Sequence, residues 1–594
     1  MYSNHYFDNE LSYLDKLELY VATEKPQLIN QISEKVRDPD AARLLDGIAY
    51  LSGNLREQID RQFPELTNSL VNMLWPAYAR PFPSMTVMEY RTEPSQEYAI
   101  KITKGQPFIS HPLYVQNDLA QNDDDNWHQC QFTQCRNLWV LPIQITHITQ
   151  NKDTLDIHFS LNQLQSLAAV GLEKLCIYLN GFSYTTTQLF YLLNSKIKKA
   201  KITTVKHQIT LEHFSVEPIG FHAEDSLLPY PKNSYEGYRL LQEYFCFPEA
   251  FLSLAIKGLD NLPPALKSDA FTLSIQFEYD IPEAMLITEE NIKINCVPAV
   301  NLFKSESEAI NLTGKETEYV LNKSHKKQDC YDIFSINTIQ GWRYIPNQKS
   351  YITRYTAFES FHHQNNQENP ERTGYYRLKI AHHKSNYGYQ HTLSFVRNNE
   401  ENLLDCEESI SVSMNCTNRT LASSLSSHSI RFDEHTAISG ISSTSNIIKP
   451  TKALYPLLGN TLYWSELTNL SINYQSLLSL TALKQILQLY DFKATFYQQS
   501  ARQSQKCLDA ITDLKTESIE YLYKGLPVRG VKTTLSIHQN AFISEGAMYL
   551  FCSVLAQFFT LYTSVNMFHE LEVINLDNKE VYLWPAKINQ QILK

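Results

Sequence analysis

The string Gly525-Leu-Pro-Val-Arg-Gly530-Val531-Lys532-Thr533 comes closest in this chain to a phosphate-binding loop. Its two glycines have Walker A separation, but the lysine stands one place late. Val531, Thr533, Leu535 and Ile537 then alternate like a strand, where a phosphate loop needs a helix start with converging amide groups. A helix-to-strand turn is therefore expected, with no nucleotide bound. No two glycines are separated by a single residue, so the Gly-x-Gly-x-x-Gly fingerprint is missing and no dinucleotide cofactor is expected. His569-Glu570-Leu571-Glu572-Val573 begins like a zincin helix but has Val where the second ligand must sit. His128, Cys130 and Cys135 lie close in sequence, as do His382, His383 and His391. Neighbours on a strand point to opposite faces, so solvated or hydrogen-bonded side chains are expected there rather than a metal centre. Gly-x-Ser-x-Gly is also absent. The sequence nominates no catalytic, cofactor-binding or metal-ligating residue, although carboxylates that meet from distant positions carry no local signature.

The elements that would have to position such residues are many. A chain of 594 residues allows about four domains and excludes one hydrophobic core. With 43% hydrophobic residues, 28 Phe and 36 Tyr, burial is well supplied and broad disorder is excluded. The net charge of −11 lacks the basic footprint of a nucleic-acid binder. Ten dispersed Cys without a Cys-x-x-Cys read as buried free thiols. The first ten residues have neither a basic nor an apolar signal region, so a cytoplasmic location is expected. Gly546 to Phe568 is uncharged and long enough to span a bilayer. Six polar residues interrupt it, and Met548, Phe551, Leu555, Phe558 and Tyr562 fall at helical spacing, so a buried helix is expected and no membrane insertion.

The spacing predicts an α+β, multidomain chain in four parts: amphipathic helices over 1–80, β-rich domains over 81–265 and 266–450, and a mixed α+β part over 451–594. Leu11, Leu14, Leu17 and Val21 mark one helical stripe; Leu44, Ile48, Leu51, Leu55 and Ile59 mark a second. Arg80-Pro-Phe-Pro-Ser84 ends the helical region. Tyr98/Ile100/Ile102, Leu155/Ile157/Phe159/Leu161 and Phe271/Leu273/Ile275/Phe277/Tyr279 alternate as half-buried strands do. Phe361–Pro370 and the Ser-rich run 423–445 read as exposed loops, the second as a linker. Helical spacing returns at Leu480, Leu483, Ile486, Leu487 and Tyr490.

Longer strings point to a family. Tyr6-Phe-Asp-Asn-Glu-Leu-Ser-Tyr-Leu14, Asp38-Pro-Asp40, Arg43-Leu-Leu-Asp-Gly47, Asp60-x-x-Phe-Pro-Glu-Leu66 and Leu74-Trp-Pro-x-Tyr78 resemble the N-terminus of TssF, also called VasA or ImpG. Further strings follow in the same order. They are Leu228-Pro-Tyr-Pro231, Gly237-Tyr-Arg-Leu-Leu-Gln-Glu-Tyr-Phe245, Phe247-Pro-Glu249, Asn295-Cys-Val-Pro-Ala-Val-Asn-Leu-Phe303 and Cys416-Thr-Asn-Arg419. Leu470-Ser-Ile-Asn-Tyr474, Leu487-x-Leu-Tyr-Asp491 and Trp584-Pro585 complete the series. The resemblance covers nearly the whole chain, apart from the loops at 361–391 and 423–445. It implies a cytoplasmic structural subunit of the type VI secretion baseplate. In that family two TssF chains and one TssG form a wedge, six wedges surround the spike hub, and the wedge connects to TssK and to TssE at the contractile sheath. The family has no assigned catalytic residues.

For such a role Leu11, Leu14, Leu44, Ile48, Leu51, Leu55 and Ile59 are the candidate partner interface, facing TssG or a second TssF copy. The alternative is that the same stripes pack only within this chain, which their spacing without the resemblance favours. A cytoplasmic enzyme with an unrecognised site and a carbohydrate-binding β-rich protein are the other readings. The first lacks a convergent polar pocket in the sequence, and the second lacks an export signal.

Overall fold

The computed structural model describes residues 80–114, 127–230, 236–260, 262–263, 266–312, 316–323, 330–343, 351–358, 373–382, 388–396, 408–433, 436, 438–455, 479–523, 526–562, 567–588 and 591–592. The chain divides into two units, Met1–Leu74 with Leu457–Leu470, and Trp75–Pro456 with Ser471–Lys594. Every described residue belongs to the second. The stripes at Leu11–Val21 and Leu44–Ile59, and the loop 361–370, lie outside the described residues.

A six-stranded antiparallel sheet runs in the order Ile430–Phe432, Pro107–Ser110, Gln131–Gln134, Cys296–Val300, Met85–Thr92, Ile441–Asn446. Met85–Thr92 is buried along nearly its whole length. Both faces are covered over Met85–Met88, where the Thr86 hydroxyl donates to the Ile448 carbonyl at 2.7 Å, and further along Tyr90 is buried while Arg91 is exposed. Met88, Tyr90, Phe108, Phe132 and Val297 share one core with Leu425, Ile430 and Ile441. The last three fall in the Ser-rich run, so the expected linker is corrected: 423–445 closes this sheet. Serine content concealed it: Ser442 and Ser443 are both exposed where the register with Met85–Thr92 shifts, while Ile441, Thr444 and Asn446 are buried. Strand pairing also joins Met85–Thr92 to Cys296–Val300, across position 265.

Two further sheets lie between these strands in sequence. One has the order Gln208–Leu211, Ile197–Thr203, Lys267–Phe277, Thr154–Ser166, Ile143–Gln150. Leu155, Ile157, Phe159 and Leu161 all point inward, as their spacing predicts. Phe271 to Phe277 do the same, whereas Tyr279 lies past the strand end and is exposed. Ile100–Ile102 is a short strand that excludes Tyr98. The other sheet runs Ser215–Pro218, Ser253–Lys257, Cys176–Leu179, Ile292–Ile294. An eight-stranded sheet from Phe303–Glu306 to Tyr319–Val320, centred on Glu408–Thr417 and Asp332–Arg343, has its own core around Ile339, Leu393, Val412 and Met414.

The C-terminal part is mixed, as expected. Leu526–Ile537 pairs in parallel with Phe568–Asn575, and the connection between them contains the helix Glu545–Tyr562. A parallel pair requires such a crossover, and here the uncharged segment is a buried helix as far as Tyr562. It packs against the helices Ser183–Ser195 and Glu236–Cys246. Gly546 permits the first approach, since a Cβ there would overlap the Thr187 carbonyl. Leu483, Ile486, Leu487 and Tyr490 bury one face of the helix Leu480–Tyr490, entered through a Ser479 cap. Among the described residues no helix is long and apolar enough to cross a membrane.

Candidate functional site

The phosphate-loop lookalike resolves into sheet geometry, and the expected helix-to-strand turn is corrected. The preceding segment Ile511–Tyr523 is itself a strand, paired antiparallel with Leu526–Ile537, so two strands and not a helix and a strand flank the lookalike. Leu526–Ile537 is a strand, so the chain after Gly530 is extended and presents no helix N-terminus. Gly530 is paired with Phe568 across the parallel ladder, and a Cβ there would run into the Phe568 ring. That ring stacks on Tyr521 with centroids 4.8 Å apart, and the Tyr521 hydroxyl donates to Glu570 at 2.6 Å. The glycine thus makes room for an aromatic ring. Lys532 pairs with Glu572 at 3.1 Å.

His569 sits on a strand, not a zincin helix, and is buried with Nε2 at 2.9 Å from Thr533 Oγ1. Burial lowers its pKa to about 3, so it stays neutral at physiological pH. His128, Cys130 and Cys135 are buried on or beside short strands. Burial raises both thiols to about 12, far from the thiolate a metal ligand needs. Among the described residues no three His, Cys, Asp or Glu side chains are grouped as a metal would require.

One convergence of polar groups does form, between residues the sequence leaves far apart. Asp332 opens a strand, and Arg419 follows the Cys416-Thr-Asn string in a left-handed turn with φ of 50°. Their charged atoms lie 3.9 Å apart, both out of water. Asp332 also accepts the amides of Ile333 at 2.8 Å and Tyr389 at 3.2 Å. Gly388 has φ of 125°, and a Cβ there would fall 2.9 Å from the Asp332 carboxylate, so glycine lets its own backbone approach the pair. His391 completes the wall, and Lys323 stacks on Tyr331 at 3.8 Å. Burial lifts Asp332 to about 6, opposed by Arg419, while burial and then Arg419 push His391 down to about 4. The cavity between these groups has a volume of about 70 Å³ and is partly open to solvent. Ligand pockets are typically about 300–1,000 Å³, so this space suits water rather than a substrate. The arrangement ties three segments of one sheet together.

The strings that carry the family resemblance do related work. In Gly237 to Phe245, Arg239 and Glu243 stand one helical turn apart and pair at 3.0 Å, fully buried. Glu243 also accepts the Leu227 amide at 2.9 Å, and Arg239 donates to the carbonyls of Phe221 and His222 at 3.2 Å. Nearby, Arg136 donates to the carbonyls of Asp225 and Ala250 at 2.7 and 2.8 Å. In Asn295 to Phe303, Asn295 exchanges two hydrogen bonds with the Leu141 backbone, at 2.9 and 3.0 Å. Asn301 Nδ2 donates to Asn418 Oδ1 at 2.8 Å, and the Asn418 amide returns a bond at 2.7 Å. Trp584 donates to Ser553 at 3.1 Å, fixing the last sheet to the buried helix. These groups pin loops to cores. The i,i+4 spacing of Arg239 and Glu243 was legible in the sequence. Arg136 and Asp332 were not, because their partners are brought by the fold.

The comparisons with known proteins agree with each other. The family model "Type VI secretion system, TssF" matches residues 3–591. The type VI secretion system component TssF1 of Pseudomonas aeruginosa PAO1 is 23% identical over 634 residues, covering 98% of each chain. A chain of the TssK–TssF–TssG baseplate subcomplex solved by cryo-electron microscopy superposes with a TM-score of 0.76 at 26% identity, over 93% of this chain and all of that one. A chain of the type VI secretion baseplate complex gives 0.60 at 22% identity, over 99% of this chain and all of that one, a likeness of fold.

Proposed function

The chain belongs to the type VI secretion TssF family, and on that premise we propose that it is a structural subunit of the baseplate wedge. In this reading it works in the cytoplasm, two copies join one TssG chain, and the wedge so formed links to TssK and TssE around the spike hub. The observation that carries it is the full-length family match together with a structural neighbour whose own complex contains TssK and TssG. What the described residues contribute fits a scaffold: large sheets closed by buried polar pins, and a convergent polar cavity too small for a substrate. The two stripes carrying Leu11, Leu14, Leu44, Ile48, Leu51, Leu55 and Ile59 are the proposed partner face, on the strength of the family's role in assembly rather than of their spacing.

Co-expression with the TssG-like and TssK-like chains of the same genome tests the reading. We expect a complex that survives size-exclusion chromatography, with two copies of this chain per TssG by native mass spectrometry. A chain that elutes alone in the presence of both would overturn it.

A further inference from the structure

A second, larger depression lies beside the C-terminal helices. It has a volume of about 710 Å³ and a floor of Tyr244 and Phe551, with Ile543 standing at its lip, 60% exposed. Lys493, Arg502 and Lys506 also line it. Its carboxylate among the described lining residues, Asp491, is buried and already caps a helix by accepting the Ala494 amide at 3.0 Å. The lining therefore carries a net positive charge on a chain whose total is −11. Apolar floor and cationic wall belong to different elements: the floor comes from the helices Glu236–Cys246 and Glu545–Tyr562, and two of the cations from the polar helix Gln498–Asp509.

We propose that this groove is a docking site for an acidic segment of a partner protein, one that seats an apolar anchor against Ile543 and Tyr244 while its carboxylates meet Arg502 and Lys506. Apolar burial supplies the affinity and the charges supply orientation and choice of partner. A groove that read only charge would need no aromatic floor, and one that read only apolar surface would not place three cations around it. The idea rests on the baseplate reading only for the expectation that the occupant is a protein.

The test uses the full chain and a fluorescein-labelled peptide alternating Glu with Leu and Phe, followed by anisotropy. We expect saturable binding that weakens at least about tenfold in Arg502→Glu/Lys506→Glu, from two attractions turned into repulsions. A comparable loss is expected in Ile543→Asp, an exposed position where the fold is spared. The same peptide with Lys for Glu should not bind. Equal binding by the Lys peptide, by a Glu and Gly peptide without anchors, or by both variants would overturn the proposal, as would displacement by a single-stranded oligonucleotide as readily as by unlabelled peptide. Co-purification of the same variants with the TssG-like chain is scored separately: if the unmodified chain binds the peptide but no baseplate partner, the assembly reading fails and the groove stands.

Discussion

Arg239 and Glu243 face each other across one turn of helix, 3.0 Å apart, with every route to water closed. Burying two charges costs several kcal/mol each, and the pair recovers this through mutual attraction and the bonds to Leu227, Phe221 and His222. Burial still pushes the Glu243 carboxyl upward, with Arg239 as the main opposing influence.

Breaking the pair from one side should therefore be worse than removing it. Glu243→Leu leaves a buried guanidinium and is expected to cost about 3–5 kcal/mol in urea unfolding. Adding Arg239→Met should recover a substantial part of that loss. Additive losses in the double-mutant cycle would show that the two side chains do not depend on one another.

Gly546→Ala places a methyl against the Thr187 carbonyl, which belongs to the backbone of the facing helix and cannot rotate away. Helix propensity favours alanine by about 1 kcal/mol, whereas overpacking costs about 1–3 kcal/mol. A lower Tm by circular dichroism is expected, and a raised one would contradict the close helix crossing.

Acidification should weaken the fold through His569. Its folded pKa of about 3 lies below its ordinary 6.5, so its contribution is present above 6.5 and is lost as pH falls from there toward 3. His391, at about 4, acts in the same direction. Asp332 opposes them: raised to about 6, its contribution is present below its ordinary 3.8 and is lost as pH rises through 6. Between pH 7 and 5 the unmodified protein should lose about 2 kcal/mol more than His569→Gln, one such histidine being worth that much over this window. Parallel pH dependences of the two would remove His569 from the account.

The proposed partner face is tested with Leu51→Asp and Leu55→Asp together. A carboxylate in an apolar contact costs roughly several kcal/mol, so a folded variant should no longer co-purify with the TssG-like chain. Normal co-purification by a folded variant would refute the interface. Unfolding of the variant would instead assign the stripe to packing within this chain.

Elements with a period were legible from the residues alone. Leu155 to Leu161 alternate because a strand shows successive side chains to opposite faces, and Leu480 to Tyr490 recur because a helix returns to the same face each turn. The uncharged run Gly546 to Phe568 reads as a buried helix for the same reason, and the helix occupies Glu545–Tyr562. The strings shared with TssF also stood in the sequence, but not what they do. Arg419 meets Asp332, Asn418 meets Asn301 and Gly530 accommodates Phe568 only when sheets bring together positions far apart in the chain. The same is true of the Ser-rich strand, whose place in a sheet depends on its neighbour Met85–Thr92 rather than on its own composition. Local pattern follows from backbone geometry repeated over a few residues, whereas a buried charge, a glycine's lack of Cβ or a groove of mixed character is defined by atoms from several elements at once, and tertiary packing alone decides which they are.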